Sequence, residues 1–172
     1  SECYYLGRFY TLGSNFNVNL GKERRLSYDE CVVMDYYTYQ STDHFIMTNI
    51  KTISISSKLS ILVQTAMALL FTKNIHLTHC DLKPSNVCIG KAIQAKLIDF
   101  GHSHLPITKH VSSLTSINAE SMSKHVPAYT LPYSPPELFR QNELNFTMQG
   151  HKFDVFSFGV VMLEMIFDTF PI

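Results

Sequence analysis

The sequence predicts an α+β fold, with two strand-forming stretches near its start ahead of two long helical stretches. Three observations carry this. Aromatic and branched residues crowd two early stretches, Cys3-Tyr4-Tyr5-Leu6-Gly7-Arg8-Phe9-Tyr10 and Cys31-Val32-Val33-Met34-Asp35-Tyr36-Tyr37, and such side chains favour strands. From Ser57 to Phe71 apolar residues return at helical spacing. From Asp154 to Phe167 they occupy nearly every face of one helical stretch.

In chain order, the first strand covers Cys3–Tyr10 and the second Cys31–Tyr37. The polar, glycine-bearing stretch Thr11–Asp29 reads as a long turn between them. In the first helix the core positions are Leu59, Leu62, Val63, Ala66, Leu69 and Leu70, with Ser57 as its N-cap and Asn74 near its end. Two short strands follow, Val87-Cys88-Ile89 and Ala95-Lys96-Leu97-Ile98, joined by a turn at Gly90-Lys91. The stretch from Asp99 to Glu137 is rich in Ser and Thr (Ser112, Ser113, Thr115, Ser116, Ser121, Ser123), which predicts a mobile segment. The last helix is apolar all round, which predicts burial on all sides.

Composition excludes several classes. Fourteen basic residues balance 14 acidic ones, so no basic surface argues for nucleic acid or an anionic membrane. The 4 cysteines, Cys3, Cys31, Cys80 and Cys88, show no C-x-x-C spacing, which favours reduced thiols over a zinc site or disulfides. No uninterrupted apolar run reaches the roughly 20 residues that a bilayer span needs. Asn145-Phe146-Thr147 fits a glycosylation sequon, but nothing resembling a signal peptide precedes it, so a cytoplasmic setting is expected, with the nucleus also open.

The chemistry is concentrated in Thr78-His79-Cys80-Asp81-Leu82-Lys83-Pro84-Ser85-Asn86. Asp81 offers a carboxylate able to take a hydroxyl proton, Lys83 an ammonium able to neutralise phosphate, and Asn86 an amide oxygen able to ligate a hard cation. Pro84 restricts both itself and Lys83. A second stretch, Leu97-Ile98-Asp99-Phe100-Gly101, enters like a buried strand and ends in an acid, an aromatic and a glycine.

These two stretches together resemble the eukaryotic protein kinases. His79 to Asn86 is similar to the catalytic loop H-R-D-L-x-x-x-N, and Asp99-Phe100-Gly101 to the D-F-G motif. Thr130-Leu131-Pro132-Tyr133-Ser134-Pro135-Pro136-Glu137 is similar to T-x-x-Y-x-A-P-E, with Pro135 in place of alanine. The resemblance implies a two-lobe kinase-like fold, mostly the helical large lobe with a remnant of the small lobe. Residues 1–37 would be strands four and five and the hinge, and residues 38–172 the large lobe through its central helix.

It also implies roles. Asp81 would be the base, Lys83 would contact the γ-phosphate of ATP, and Asn86 and Asp99 would hold two Mg²⁺ ions. Thr130 would bond Asp81 and Lys83. Met34 would be the gatekeeper, the backbone of Asp35 and Tyr37 would face the adenine edge, and Cys88 would pack beneath the ring. His79 and Phe100 would be packing parts, and Asp154 would hold the catalytic-loop backbone. Lys83-Pro84 with Thr130 resembles the Ser/Thr-specific members, so the expected partner is a protein with a Ser or Thr acceptor. Ser85 stands where an acid would favour basic substrates. A metal reading of His102 and His104 is weak, because no third ligand accompanies them.

Two departures stand out. Cys80 replaces the arginine that clamps a segment phosphate in many kinases. No glycine-rich G-x-G-x-x-G strand and no V-A-I-K lysine occur in these residues, so a partial domain is expected, weak or inactive by itself. The leading reading is therefore part of an active Ser/Thr kinase. The alternatives are an inactive kinase-like scaffold and a small-molecule kinase, the latter disfavoured by the Thr130–Glu137 shelf.

Overall fold

In the computed structural model, residues 4–19, 25–49, 52–103, 130–136 and 150–168 are described. The elements run β1 (Phe9–Asn19), β2 (Arg25–Met34), α1 (Thr42–Asn49), α2 (Ile55–Asn74), β3 (Val87–Gly90), β4 (Gln94–Leu97) and α3 (Gly150–Phe167). Single 3₁₀ turns cover Pro84–Asn86, Lys91–Ile93 and Leu131–Tyr133. The expectations for residues 104–129, Glu137, Cys3 and the Asn145 sequon lie outside the described residues.

β1 and β2 form an antiparallel hairpin that reaches from Phe9↔Met34 to Asn19↔Arg25. This corrects the long turn expected over Thr11–Asp29. The polar residues there occupy alternate positions of two strands, and the register sets Leu12 opposite Val32, Phe16 opposite Tyr28 and Val18 opposite Leu26. Such alternation is the pattern of a half-exposed strand, which high polarity disguises as a loop.

β3 and β4 form a second antiparallel hairpin, and both of its edges are occupied. Leu6 bridges Leu97 in parallel, with Leu97 N donating to the Tyr5 carbonyl (2.9 Å) and Gly7 N to the Leu97 carbonyl (2.8 Å). Gly7 is required by that approach, because a Cβ there would stand 2.6 Å from Ile98 Cγ2. On the other edge Tyr39 N donates to the Ile89 carbonyl (2.9 Å) and Ile89 N to the Gln40 carbonyl (2.7 Å). Two extended fragments thus flank the β3–β4 hairpin on both edges.

α2 starts earlier than expected. Ser54, not Ser57, is the N-cap, and its Oγ accepts from Ser57 N at 3.1 Å. The helix closes in a Schellman arrangement, with His76 left-handed (φ 59°), His76 N bonded to the Lys73 carbonyl and Leu77 N to the Thr72 carbonyl (2.8 Å). The buried stripe also differs from the expected one. Lys58, Ile61, Leu62, Thr65, Ala68 and Thr72 are buried, whereas Leu59, Val63 and Leu70 are exposed. Polar groups inside this face are satisfied. Thr65 Oγ1 donates to the Ile61 carbonyl (2.9 Å), and Lys58 Nζ meets Asp168 at 2.6 Å beyond the end of α3. Gln64 uses both ends of its amide on the β4 hairpin, donating to the Ile93 carbonyl (3.0 Å) and accepting from Ala95 N (2.9 Å).

By length and composition α2, at 20 residues, is apolar enough to cross a membrane, contrary to the expectation from apolar runs. Its buried Lys58 and the bonds from Gln64 mark it as a helix of the core. α1 was not foreseen, and it begins with Thr42, fully buried, donating to the Val87 carbonyl at 2.7 Å.

α3 is not buried on all sides. Phe153, Asp154, Ser157, Val161 and Met165 face the core, while Val155, Leu163 and Phe167 are exposed. The core joins that stripe to Ile61, Leu62 and Ala68 of α2, Leu82, and the hairpin residues Val87, Ile89, Ala95 and Leu97.

Replacing Ser54 by Ala is expected to lower stability by about 1 kcal/mol, the usual worth of an N-cap. Chemical denaturation measures this, and an unchanged midpoint would show that the neighbouring Ser56 or Ser57 hydroxyl substitutes for it.

Candidate active site

The loop between α2 and β3 crosses the top of α3, and Asp154 of that helix fixes it from below. Its Oδ2 accepts from His79 N at 2.8 Å and its Oδ1 from Cys80 N at 3.0 Å. Cys80 is left-handed (φ 68°) and fully buried, a conformation that a non-glycine residue holds only when its surroundings over-determine it. The carboxylate grip on its amide is that constraint. Burial pushes the Asp154 carboxyl up, against the opposing pull of the two amides and His79.

His79 carries the next layer. Its Nε2 faces the Ile98 carbonyl at 2.9 Å, and its Nδ1 accepts from Asp81 N at 3.3 Å. This pattern needs the neutral ring with the proton on Nε2. Burial pushes the imidazole below its ordinary 6.5, outweighing the Ile98 carbonyl and the carboxylates of Asp154, Asp81 and Asp99. Phe100 packs edge-on against the ring at 4.8 Å, so the loop after α2 and the segment after β4 share one aromatic contact.

Asp81 is buried, and three side chains donate to its carboxylate. Thr130 Oγ1 donates to Oδ1 at 2.8 Å, Lys83 Nζ to Oδ2 at 2.7 Å, and Asn86 Nδ2 to Oδ2 at 3.1 Å. Lys83 Nζ also donates to Thr130 Oγ1 at 2.9 Å, and Asn86 Nδ2 to the Asp81 carbonyl at 2.8 Å. Burial alone would raise this carboxyl. The hydrogen bonds from Lys83 and Thr130, the Lys83 charge and the Asn86 amide outweigh it and hold Asp81 below the ordinary carboxylate range. It is therefore a carboxylate at neutral pH, surrounded by donors that leave it little rotational freedom. Lys83 is extended ahead of Pro84 (φ −157°, ψ 165°), as a pre-proline residue must be.

Asp99 is exposed and left-handed (φ 61°), with Oδ1 accepting from Gly101 N at 3.3 Å. Ile98 N donates to the Asn86 carbonyl at 2.9 Å, which sets Asp99 one residue from the strand contact with Asn86. With the Asn86 nitrogen engaged by Asp81, its amide oxygen is the atom left for a cation. An amide oxygen and a carboxylate are hard donors that suit Mg²⁺, which keeps waters and substrate phosphates as its other ligands. Among the described residues no group of three His, Cys, Asp or Glu side chains could hold a metal alone. His104 lies outside those residues, and His102 Nδ1 stands 4.0 Å from Asp81 Oδ2.

The residues expected to meet a nucleotide lie at the end of β2, just after it, and in β3. Met34 ends β2 opposite Phe9. Asp35 N donates to the Arg8 carbonyl at 3.3 Å and the Tyr37 carbonyl accepts from Gln40 N at 3.0 Å. The Tyr37 side chain is buried beside Gly7 and Gly90. Cys88 is buried in β3, where Ser41 bridges to it, and burial together with the nearby Asp43 charge pushes its thiol up to about 11. It is a buried, protonated thiol, not a nucleophile.

α3 also holds the Thr130 turn. Ser157 Oγ donates to the Tyr133 carbonyl (2.7 Å), and the Tyr133 hydroxyl donates to Glu164 (2.7 Å). Ser134 Oγ closes the turn onto the Thr130 carbonyl at 3.1 Å. Ser157 and Glu164 escaped the sequence reading, because a polar residue three or ten positions from a buried Asp looks like ordinary helix surface. Tyr133 was seen only as part of a motif.

A protein kinase domain is what this fold and site define, and comparison with known proteins agrees. The family model described as "Protein kinase domain" matches residues 17–172. The chain belongs to that family, and its α+β architecture is part of the kinase fold. It is 35% identical over 117 residues to an Arabidopsis thaliana protein named "Probable LRR receptor-like serine/threonine-protein kinase", which covers 64% of this chain and 11% of that one. It is 31% identical over 116 residues to the mouse (Mus musculus) "Ankyrin repeat and protein kinase domain-containing protein 1", 66% of this chain and 14% of the relative. It is 30% identical over 145 residues to the A. thaliana "Cysteine-rich receptor-like protein kinase 2", 80% of this chain and 20% of the relative. The matched segment is thus a fifth or less of each of these relatives.

The neutral His79 gives folding a pH dependence. The unfolded chain takes up a proton near pH 6.5 that the folded ring refuses, so this contribution is full above 6.5 and drains as the pH falls. Thermal unfolding between pH 5 and 7.5 should therefore show a steeper acid loss for the wild type than for His79→Phe. Equal slopes would show that the buried ring accepts the proton.

Proposed function

We propose that the protein transfers the γ-phosphoryl group of ATP, with Mg²⁺, to Ser or Thr hydroxyls of protein substrates. The observation that carries this is the Asp81 carboxylate gripped by Lys83, Asn86 and Thr130 at 2.7–3.1 Å. In this reading Asp81 orients the acceptor hydroxyl and takes its proton. Lys83 turns from Asp81 to the transferring phosphate, which its single ammonium suits as a mobile point charge. Asn86 and Asp99 would hold the metal, which neutralises charge on the phosphates when bound. Thr130 would keep the acceptor side closed by bonding both Asp81 and Lys83.

The backbone of Asp35 and Tyr37 would meet the adenine edge, with Met34 at the back of the pocket and Cys88 beneath the ring. A Ser/Thr acceptor is supported by the Lys83-Pro84 pair, by Thr130, and by the relative whose name carries that specificity. The site of action would be the cytoplasm or nucleus. An inactive scaffold has no need of this donor set, because apolar residues of similar volume could fill the same place at little or no cost to stability.

Asp81→Asn in the full-length protein should lower turnover about 10²–10⁴-fold, the range for loss of a general base. Phosphotransfer from labelled ATP to a serine peptide measures it, and retained turnover would remove Asp81 from the role. Activity should also survive phosphatase treatment. Cys80 is buried and supplies no guanidinium to a phosphate on the segment, so a large loss after treatment would mean that another cation clamps it.

A further inference from the structure

His102 follows the Asp99-Phe100-Gly101 turn directly, and its ring reaches the catalytic loop. Its Nδ1 is shut off from solvent and has no hydrogen-bond partner among the described residues. It stands 4.0 Å from Asp81 Oδ2, although the side chain as a whole is 37% exposed. One nitrogen is therefore buried against the carboxylate while the rest of the ring borders the open side of the site. A buried ring nitrogen without a partner is costly, and an acceptor lies within a short movement of it.

The partners already on Asp81 are not equally lasting. Asn86 Nδ2 is tied at once to the Asp81 carbonyl (2.8 Å) and Oδ2 (3.1 Å). Thr130 is anchored through the Ser134 hydroxyl (3.1 Å). Lys83 makes the shortest contact, 2.7 Å to Oδ2, and it is the group that must turn to the phosphate. At that moment Oδ2 loses its cationic donor, just when the carboxylate has to keep one orientation toward the hydroxyl.

We propose that His102 is a positioning residue for Asp81. In its Nδ1–H form it closes the gap and donates to Oδ2 as Lys83 leaves, so the carboxylate plane stays fixed through the transfer. This rests on the reading of Asp81 as base and Lys83 as phosphate contact. The step balances without His102 changing charge. The bond from the bridging oxygen to the γ-phosphorus breaks and leaves ADP, the hydroxyl oxygen bonds that phosphorus, and the hydroxyl proton passes to Asp81. The weak pair of histidines in the sequence thus resolves into one with a place beside the base.

The test uses the full-length protein, Mg·ATP and a degenerate serine/threonine peptide library, with variants His102→Leu, His102→Asn, His102→Gln and Asp81→Asn. Asparagine places an amide nitrogen where Nδ1 stands, whereas glutamine places it nearer the Nε2 position. His102→Leu should lower kcat about tenfold with KM for ATP unchanged, the size expected for one lost hydrogen bond to a charged group. His102→Asn should recover to within about threefold of wild type, and His102→Gln should stay near the leucine level. Wild-type kcat in His102→Leu beside an inactive Asp81→Asn overturns the positioning role and leaves the base reading intact. An active Asp81→Asn overturns the base reading and this proposal with it. A kcat loss accompanied by raised KM and equal in Asn and Gln marks a structural role and also overturns it. If the leucine variant does not fold, the comparison of Asn with Gln decides alone.

Discussion

The pair of hydrogen bonds that Asp154 accepts from the amides of His79 and Cys80, 2.8 and 3.0 Å long, is the constraint on which the rest of the site depends. Those amides lie in a loop that is neither helix nor strand, so no ladder satisfies them. Left buried and unpaired, each would cost about 1–3 kcal/mol. The carboxylate removes that cost and holds Cys80 left-handed, which turns the chain so that Asp81 faces Thr130 and Asn86. The buried charge is tolerable because it is met by donors on the loop it holds. From the same helix Ser157 and Glu164 reach the Thr130 turn, so one rigid element positions both sides of the site.

A second theme is that polar groups build much of the interior. Lys58, Thr65, Thr72 and Gln64 lie on the inner side of α2, where a reading by apolar period expects hydrocarbon. Each is paired, and each pairing connects or neatens an element: Gln64 joins α2 to the β4 hairpin, and Lys58 joins its first turn to Asp168. The displaced stripe follows directly. Leu59, Val63 and Leu70 attract the periodic pattern because they are apolar, yet the face that packs is set by which residues can also bond.

At Asp81 the balance of opposing effects decides the chemistry. Burial favours the neutral acid, and Lys83, Thr130 and Asn86 favour the carboxylate more strongly. A carboxylate that stays ionised while buried is thus obtained from close donors, at the expense of basicity. At His79 the opposite holds, and burial outweighs three nearby carboxylates. The two residues are separated only by Cys80, and their environments push them apart in charge because one faces the donors and the other is buried against Phe100.

The sequence by itself determined the chemical inventory. The spacing of Asp81, Lys83, Asn86 and Asp99, with Thr130 downstream, named the family and the residues of the site, because that chemistry tolerates few side chains at those positions. It also showed the two long helices through their apolar content. Only the tertiary structure decided the hairpin β1–β2, the face of α2, the cap at Ser54 and the exposed side of α3. Those depend on partners distant in the chain, such as the strand opposite or the carbonyl a hydroxyl can reach, and no local pattern records them. The same holds for His102 beside Asp81. Its closeness to the base follows from the left-handed turn at Asp99 and the contact of Phe100 with His79, which bring together two segments that are separate in the sequence.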